Sequence, residues 1–260
     1  MIMEKRQQMN ELTGKEWLQN SFSIWRDLGK TAEEKKLNHP ASYPVALCNK
    51  LIRTFSKKDA KIIDPFNGIG STLVACEDLG REGVGIDLSK EFCDIAKTRI
   101  KNNDKKIEII NGDSFKELKK IKEESFDLCL TSPPYWDILN MKRSADKKKN
   151  INYSDEESDL GNIKEYEEFI ELLKKLFQEV YRVLKHNSYC LINVMDIRKK
   201  SNFYPLHSDL AKAMTEIGFK YDDLIIWDRQ QDYNNMKPLG YPCRFRINKV
   251  HEYIIILIKE

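Results

Sequence analysis

Apolar and polar positions along this chain follow two periods, and the change from one to the other marks its elements. From residue 61, short apolar runs are separated by amphipathic stretches. The runs "KII" at 61–63, "GVGID" at 83–87, "KIEII" at 106–110 and "SFDLCLT" at 125–131 predict strands. Between them, "STLVACEDLG" at 71–80 predicts a helix capped by Gly70 or Ser71 and stopped by Gly80. "KEFCDIAKTRI" at 90–100 predicts a second, with Ser89 as cap and Phe92, Ile95, Ala96 and Ile100 along one side. "SFKELKKI" at 114–121 predicts a short third.

The pattern then breaks. Residues 137–162 carry few apolar side chains and no period, which reads as a long polar loop or insert. A long helix follows at 163–185, its apolar face drawn from Phe169, Leu172, Leu173, Leu176, Val180 and Val183. "SYCLINVMD" at 188–196 predicts a strand, and "PLHSDLAKAMTEIG" at 205–218 a helix closed by Gly218. "YDDLIIWDRQ" and "RFRINKVHEYIIILIK" supply two or three more strands with no crossover helix between them, which implies an antiparallel edge. Strands separated by helices predict an α/β fold: a mostly parallel sheet covered on both faces. Ligands of such sheets bind beyond the carboxyl ends of the strands, so the loops there carry the chemistry.

Composition narrows this picture only a little. The chain has 260 residues, enough for a sizeable core, and no run of apolar residues long enough to span a membrane. Its start lacks the apolar block of a secretory signal, and a cytoplasmic location is expected. Six cysteines without a CxxC pair read as buried free thiols. The four histidines stand apart and predict no metal site. Net charge is only +3, but "MKRSADKKKN" at 141–150 concentrates basic residues, and such a run can follow a phosphate backbone. An ordinary solvated loop is the plainer reading of the same run.

Three loops carry candidate chemistry. "DPFNGIGST" at 64–72 leaves a strand and opens a helix. Gly68 and Gly70 permit tight backbone and close ligand approach, and the helix start offers free N–H groups. The stretch lacks the third glycine of a dinucleotide fingerprint, where Leu73 stands, and the lysine of a phosphate loop. This disfavours a nicotinamide dehydrogenase. Asp64 puts a negative charge at the turn, which suits an ammonium better than a pyrophosphate. Asp87 ends the next strand, where an acid can grip a pair of ribose hydroxyls. Asp113, after the third strand, can reach an adenine amino group. A ligand with ribose, adenine and an amino-acid moiety satisfies all three, and S-adenosylmethionine is such a ligand.

The second loop is "TSPPYW" at 131–136. Pro133 and Pro134 fix their own backbone and keep Ser132 and Pro133 extended. The Ser132 hydroxyl and the Pro133 carbonyl thereby become rigid acceptors, able to hold the two hydrogens of an exocyclic amine. Tyr135 can stack on a base drawn out of a duplex. Trp136 can pack in the pocket or touch that base.

On these motifs the chain resembles the amino methyltransferases that modify exocyclic nitrogens of DNA bases. "DPFNGIGST" is similar to the methionine-loop motif of that family, "TSPPYW" to its catalytic motif, and "HPASYPVALCNKLI" at 39–52 to the segment that closes over the methionine end of the cofactor. The resemblance is strong over 39–135 and loose over 163–258. It implies a Rossmann-like methyltransferase fold with a mostly parallel seven-stranded sheet and an antiparallel edge hairpin. It implies S-adenosyl-L-methionine as cofactor and S-adenosyl-L-homocysteine as product. The implied cofactor residues are His39, Tyr43, Asp64, Pro65, Phe66, Asn67, Gly68, Gly70, Ser71, Thr72, Asp87, Leu88, Asp113 and Ser114. The implied catalytic residues are Ser132, Pro133, Pro134 and Tyr135.

A serine in the first catalytic position marks cytosine-N4 methylation more often than adenine-N6, so Ser132 favours N4-methylcytosine in duplex DNA. Adenine-N6 methylation is the alternative. A related enzyme acting on RNA or on a protein glutamine typically carries asparagine there; a catalytically inactive nucleic-acid-binding module with a methyltransferase fold is a further alternative, against which the complete loops argue. Sequence choice falls to residues 1–38, read as an N-terminal extension, to the insert, or to 228–246, within a catalytic domain spanning 39–260. Arg229, Gln230, Asn234, Asn235, Lys237, Arg244 and Arg246 suit base edges, while Lys142, Arg143, Lys147, Lys148 and Lys149 suit phosphates. Double-stranded DNA with an extruded base is the expected partner. A companion restriction endonuclease, and the choice between monomer and homodimer, stay open.

Overall fold

The structure is a computed structural model that describes residues 8–37, 42–101, 106–136, 160, 163–233, 236 and 238–260. His39, Lys142, Arg143, Lys147, Lys148, Lys149, Asn234, Asn235 and Lys237 lie outside the described residues, as does nearly all of the 137–162 insert.

Helices α1 (Gly14–Asn20) and α2 (Ala32–Lys36) flank a two-residue strand β1 (Ile24–Trp25), and α3 (Val45–Phe55) leads into the alternating region. That region runs β2 (Lys61–Asp64), α4 (Ser71–Asp78), β3 (Glu82–Asp87), α5 (Lys90–Arg99), β4 (Ile107–Asn111), α6 (Ser114–Lys120) and β5 (Phe126–Thr131). After the insert come α7 (Tyr166–Val183), β6 (Leu184–Val194), a small hairpin β7 (Ile197–Lys199) and β8 (Asn202–Tyr204), α8 (Leu206–Ile217), β9 (Lys220–Asp228) and β10 (His251–Lys259).

The main sheet has eight strands in the order β1-β9-β10-β6-β5-β2-β3-β4. Seven of them are the expected ones. The eighth is β1, whose Ile24 and Trp25 pair in parallel with Ile226 and Trp227. β10 runs antiparallel to both β6 and β9, and the other pairings are parallel. The order reverses between β2 and β5: the chain builds outward through β3 and β4, then returns to place β5 on the other side of β2. The methionine loop after β2 and the catalytic loop after β5 therefore leave neighbouring strands at the same end of the sheet, the place where such sheets bind ligands.

Alternation within the strands feeds two cores. Ile63 and Cys129 join the layer made by Phe169, Leu173, Phe177 and Val180 of α7 with Leu210 and Met214 of α8. Ile62, Leu128 and Leu130 face the opposite layer, with Leu47, Leu51 and Ile52 of α3 and Cys76 of α4. The segment expected to close over the cofactor is thus, from Val45 on, a wall of this second core. Trp25 lies in the same core, so the described part of the chain before residue 39 packs against the sheet. Glu34 reinforces the join by accepting the backbone N–H of Val45 at 2.8 Å. Five cysteines are buried and Cys243 is exposed. Among the described residues, no helix is long and apolar enough to cross a membrane.

Candidate active site

Asp64 ends β2 with its side chain entirely inside, 0% exposed. Its Oδ1 accepts from Thr131 Oγ1 at 2.6 Å and from the Phe66 N–H at 3.0 Å. Its Oδ2 accepts from Thr72 Oγ1 at 2.6 Å and from the Tyr43 hydroxyl at 2.9 Å. One carboxylate thereby ties the start of α4 and the end of β5 to the approach of α3. Burial raises its pKa, against the pull of the Thr131, Thr72, Phe66 and Tyr43 hydrogen bonds. Asp64, expected to meet a ligand ammonium, has both oxygens engaged by interior donors in this structure, and Tyr43 is one of them.

Above this anchor the loop is shaped by backbone. Gly70 sits at φ +80°, and a Cβ there would lie 2.9 Å from Ala96 Cβ, so both conformation and space exclude a side chain. The Asn67 N–H donates to Ile86 O at 3.0 Å and the Gly68 N–H to Asp87 Oδ2 at 2.6 Å, which bind the loop to β3. Pro65 O accepts from Ser114 Oγ at 2.6 Å, binding it also to α6. Phe66 packs against the α7–α8 core. Ser71 is buried, with Arg99 Nη1 at 3.3 Å from its Oγ and 2.7 Å from Ile69 O.

Asp87 also accepts the Ser89 N–H on Oδ1 at 2.9 Å, and Leu88 O accepts from Asn111 Nδ2 at 2.9 Å. Asp113 caps α6 by accepting the Phe115 N–H on Oδ1 at 2.9 Å, with Lys116 Nζ 3.6 Å from its Oδ2. β3 and β4 are neighbours, with Asp87 opposite Asn111, so the two acids stand at adjacent strand ends.

The catalytic loop begins one residue beyond the Asp64 tie. Ser132 is half-buried, Pro133 buried and Pro134 half-buried. Ser132 Oγ lies 3.2 Å from the Tyr135 hydroxyl, which donates to Glu252 Oε2 at 2.8 Å. Asn193 Nδ2 donates to the Tyr135 hydroxyl at 3.1 Å and to Glu252 Oε2 at 2.6 Å. The other oxygen of Glu252 pairs with Arg229 Nη1. Glu252 is 4% exposed and Asn193 is likewise enclosed. Burial and the Glu252 charge raise the Tyr135 pKa, so the phenol keeps its proton.

Sequence reasoning missed Glu252 and Asn193. The signal was present in both places: a polar residue interrupts an apolar strand in "HEYIIILIK" and in "LINVMD". It also missed the pairing of His207 Nδ1 with the buried Asp196 at 2.6 Å, where the imidazole stacks on Tyr253 at 3.9 Å. Of the two places open to Trp136, packing or contact with a base, the structure has the first: the ring is buried in the α7–α8 core with Tyr166 and Tyr204 at 5.4 and 5.0 Å and Lys199 Nζ 3.9 Å over it. Arg229 is held by Glu252 and Asp232 and lies over Trp227 at 4.8 Å, so it braces the site and is not free to read a base. Arg246 donates to Lys200 O at 2.7 Å, while Gln230 and Arg244 are exposed.

A family model described as DNA methylase matches residues 2–98 and 126–260. The chain belongs to this family. Its members are S-adenosylmethionine-dependent amino methyltransferases of the N4-cytosine and N6-adenine type, and S-adenosylmethionine is the cofactor. A second model, a methyltransferase domain, matches residues 66–146. The chain is 31% identical over 156 residues to the type II methyltransferase M.MthZI of Methanothermobacter thermautotrophicus, covering 55% of this chain and 42% of that one. It is 41% identical over 63 residues to M.SmaI of Serratia marcescens, covering 24% and 22%. The chain spans less than half the length of these methyltransferases. Among solved structures, TrmN from Thermus thermophilus superposes with a TM-score of 0.54 at 13% identity over 85% of this chain and 50% of that one, a likeness of fold alone. A DNA modification methylase of Thermus thermophilus, solved with S-adenosyl-L-methionine, matches at 27% identity and a TM-score of 0.41 over 57% and 53%.

The donor set of this DNA methylase chain fits that cofactor. Acceptors for a hydroxyl pair and for an amine stand at the ends of β3 and β4 in Asp87 and Asp113, and the strand order reverses beside them. No cluster of metal-binding side chains occurs among the described residues.

Proposed function

We propose that the chain transfers a methyl group from S-adenosylmethionine to the exocyclic N4 of cytosine in duplex DNA, acting on a base drawn out of the helix. The observation that carries this reading is the position of Ser132: half-buried at the switch of strand order, one residue from the anchor of the methionine loop. Asp87 would hold the ribose hydroxyls and Asp113 Oδ2 the adenine amine, while the backbone from Pro65 to Gly70 lines the methionine end together with Ser71. The cofactor supplies an electrophilic methyl carbon on a sulfonium. Ser132 Oγ and the Pro133 carbonyl would accept the two hydrogens of the target amine, localise its lone pair and aim it. An unassisted hydroxyl is too weak to act as a base, so Ser132 positions, and the proton leaves to water after transfer.

DNA contact is assigned to the segment between β9 and β10. Phe245 there is 92% exposed and Tyr241 80%, beside the exposed Arg244. Aromatic rings interleaved with basic side chains suit unstacked bases and phosphates. The basic residues 142–149 are assigned to phosphates on charge alone.

The test is incubation with cofactor and mixed-sequence DNA, followed by digestion and mass analysis of nucleosides. N4-methylcytosine is expected. N6-methyladenine in its place would overturn the choice of base, and methylation of RNA alone the choice of DNA.

A further inference from the structure

Hydrogen-bond direction around Ser132 is set by its neighbours, and it decides what the serine shows its substrate. Glu252 faces the Arg229 guanidinium on one oxygen and receives Asn193 Nδ2 on the other, so it stands as a carboxylate that only accepts. The Asn193 amide is oriented by the same pairing, since the flipped amide would set its oxygen against that carboxylate. Tyr135 has one hydroxyl proton, and at 2.8 Å from Glu252 Oε2 that proton goes to the carboxylate. Asn193 donates to the Tyr135 oxygen as well. The 3.2 Å contact between Ser132 Oγ and the Tyr135 oxygen can then be filled in one sense only, with serine donating.

We propose that Glu252, braced by Arg229 and Asn193, fixes a one-way chain from Ser132 through Tyr135, so that Ser132 turns lone pairs and never its proton toward the substrate amine. The proposal rests on the amino-methyltransferase reading above. Glu252 and Tyr135 are positioning residues in it: neither needs to touch the base through its polar atoms. The chain also explains how a neutral hydroxyl serves as a dependable acceptor. A free serine hydroxyl rotates, and in some rotamers it would point its hydrogen at the amine it should receive.

The test is a double-variant cycle read at saturating DNA and cofactor. In Glu252→Gln the amide can donate to Tyr135, Tyr135 then donates to Ser132, and the serine proton is driven toward the substrate. The expected loss in kcat is on the order of 10²-fold with cofactor affinity unchanged. Tyr135→Phe frees the serine rotor and should cost about tenfold. The double variant Glu252→Gln/Tyr135→Phe should recover activity relative to Glu252→Gln, because the reversed chain has lost its middle link. A merely structural role predicts the opposite, a double variant at least as impaired as either single, and that result would overturn the proposal. If Glu252→Gln does not fold, Ser132→Ala is compared with Ser132→Ala/Tyr135→Phe: equal rates support one chain, and multiplied losses refute it. A readout without substrate separates this inference from the reading beneath it. The C–O stretch of isotope-labelled Tyr135 should report donation to a carboxylate in the wild type and shift in Glu252→Gln, where the phenol donates to the weaker acceptor Ser132 and accepts from the amide; an unchanged band refutes the chain even if DNA is methylated. A wild type that methylates no DNA, with the band shifting as expected, removes the substrate reading and leaves the chain.

Discussion

Two buried carboxylates hold the catalytic loop, one on each side, and they are held in different ways. Thr131 donates to Asp64, whose partners are three hydroxyls and one backbone N–H. Its neighbour Ser132 touches Tyr135, which donates to Glu252, and Glu252 has the guanidinium of Arg229 against it. Asp64 is an anchor made of neutral donors, and among the described residues its charge is answered by dipoles. Glu252 is an anchor made with a cation. Thr131 reaches Asp64 at the end of β2 on one flank of β5, and Ser132 reaches through Tyr135 to Glu252 of β10 on the other. The loop is rigid because both of its roots are tied, beyond what two prolines impose.

The largest effects separate the two anchors. Arg229→Met would leave Glu252 buried without its cation, a loss of about 3–5 kcal/mol in unfolding free energy. Restoring neutrality with Glu252→Met in the same chain should return most of that loss, since well-packed apolar pairs replace buried ion pairs at little cost. Asp64→Ala would strand four donors at once and should cost about 3 kcal/mol, and no change at a single cationic partner can rescue it because none stands there among the described residues. Urea unfolding of the three variants beside the wild type measures both. A double variant as unstable as Arg229→Met alone would show that Arg229 does not compensate the Glu252 charge.

Acidity gives a smaller and sharper contrast. Asp64 has a folded pKa raised above its ordinary value, with burial as the leading cause. The folded state then keeps a proton that the unfolded chain has already released, so stability falls as pH rises through that window. Asp64→Asn carries no such dependence. The margin of wild type over Asp64→Asn should be widest below about pH 4, where the unfolded chain is also protonated, and should narrow as pH rises through the folded value. A margin that widens with pH would mean that the four hydrogen bonds outweigh burial and hold the carboxylate ionised.

What the sequence disclosed follows the same division. The strands β2 to β5, their helices and the methionine loop were legible because each is encoded within some ten residues, by period, cap and glycine. Ser89 does cap its helix as read. Thr13 with Glu16 and Thr31 with Glu34 carry an equally local capping-box signal, and both form, so α1 and α2 were within reach of the same reasoning. The second anchor was not. Tyr135 and Glu252 are 117 positions apart, and only the sheet order β10-β6-β5 brings them together. The misreading of Arg229 has the same origin. An arginine in a polar stretch looks available to DNA until the fold supplies a buried carboxylate for it. Trp136 looked available for the converse reason, since its partners Tyr166 and Tyr204 lie beyond the insert.

The smallest expected effect on stability belongs to the segment that lacks such ties, and it bears most directly on DNA. Phe245 projects into solvent beside Arg244, within 20 residues of the braced Arg229. Phe245→Ala removes no buried contact, so unfolding free energy should change by less than about 0.5 kcal/mol. If the ring stacks on an unpaired base, the same substitution should weaken DNA binding by about 1–3 kcal/mol. Stacking releases no counterions, so the slope of log affinity against log salt should stay the same, whereas Arg244→Gln should lower that slope by about one. Fluorescence anisotropy across a salt series reads both quantities at once. A Phe245→Ala protein that binds DNA as the wild type does would move base contact away from this segment and leave the two buried anchors untouched. A changed slope would mean that the ring acts by positioning its basic neighbours, and Arg244→Gln/Phe245→Ala would then be no weaker than Arg244→Gln alone.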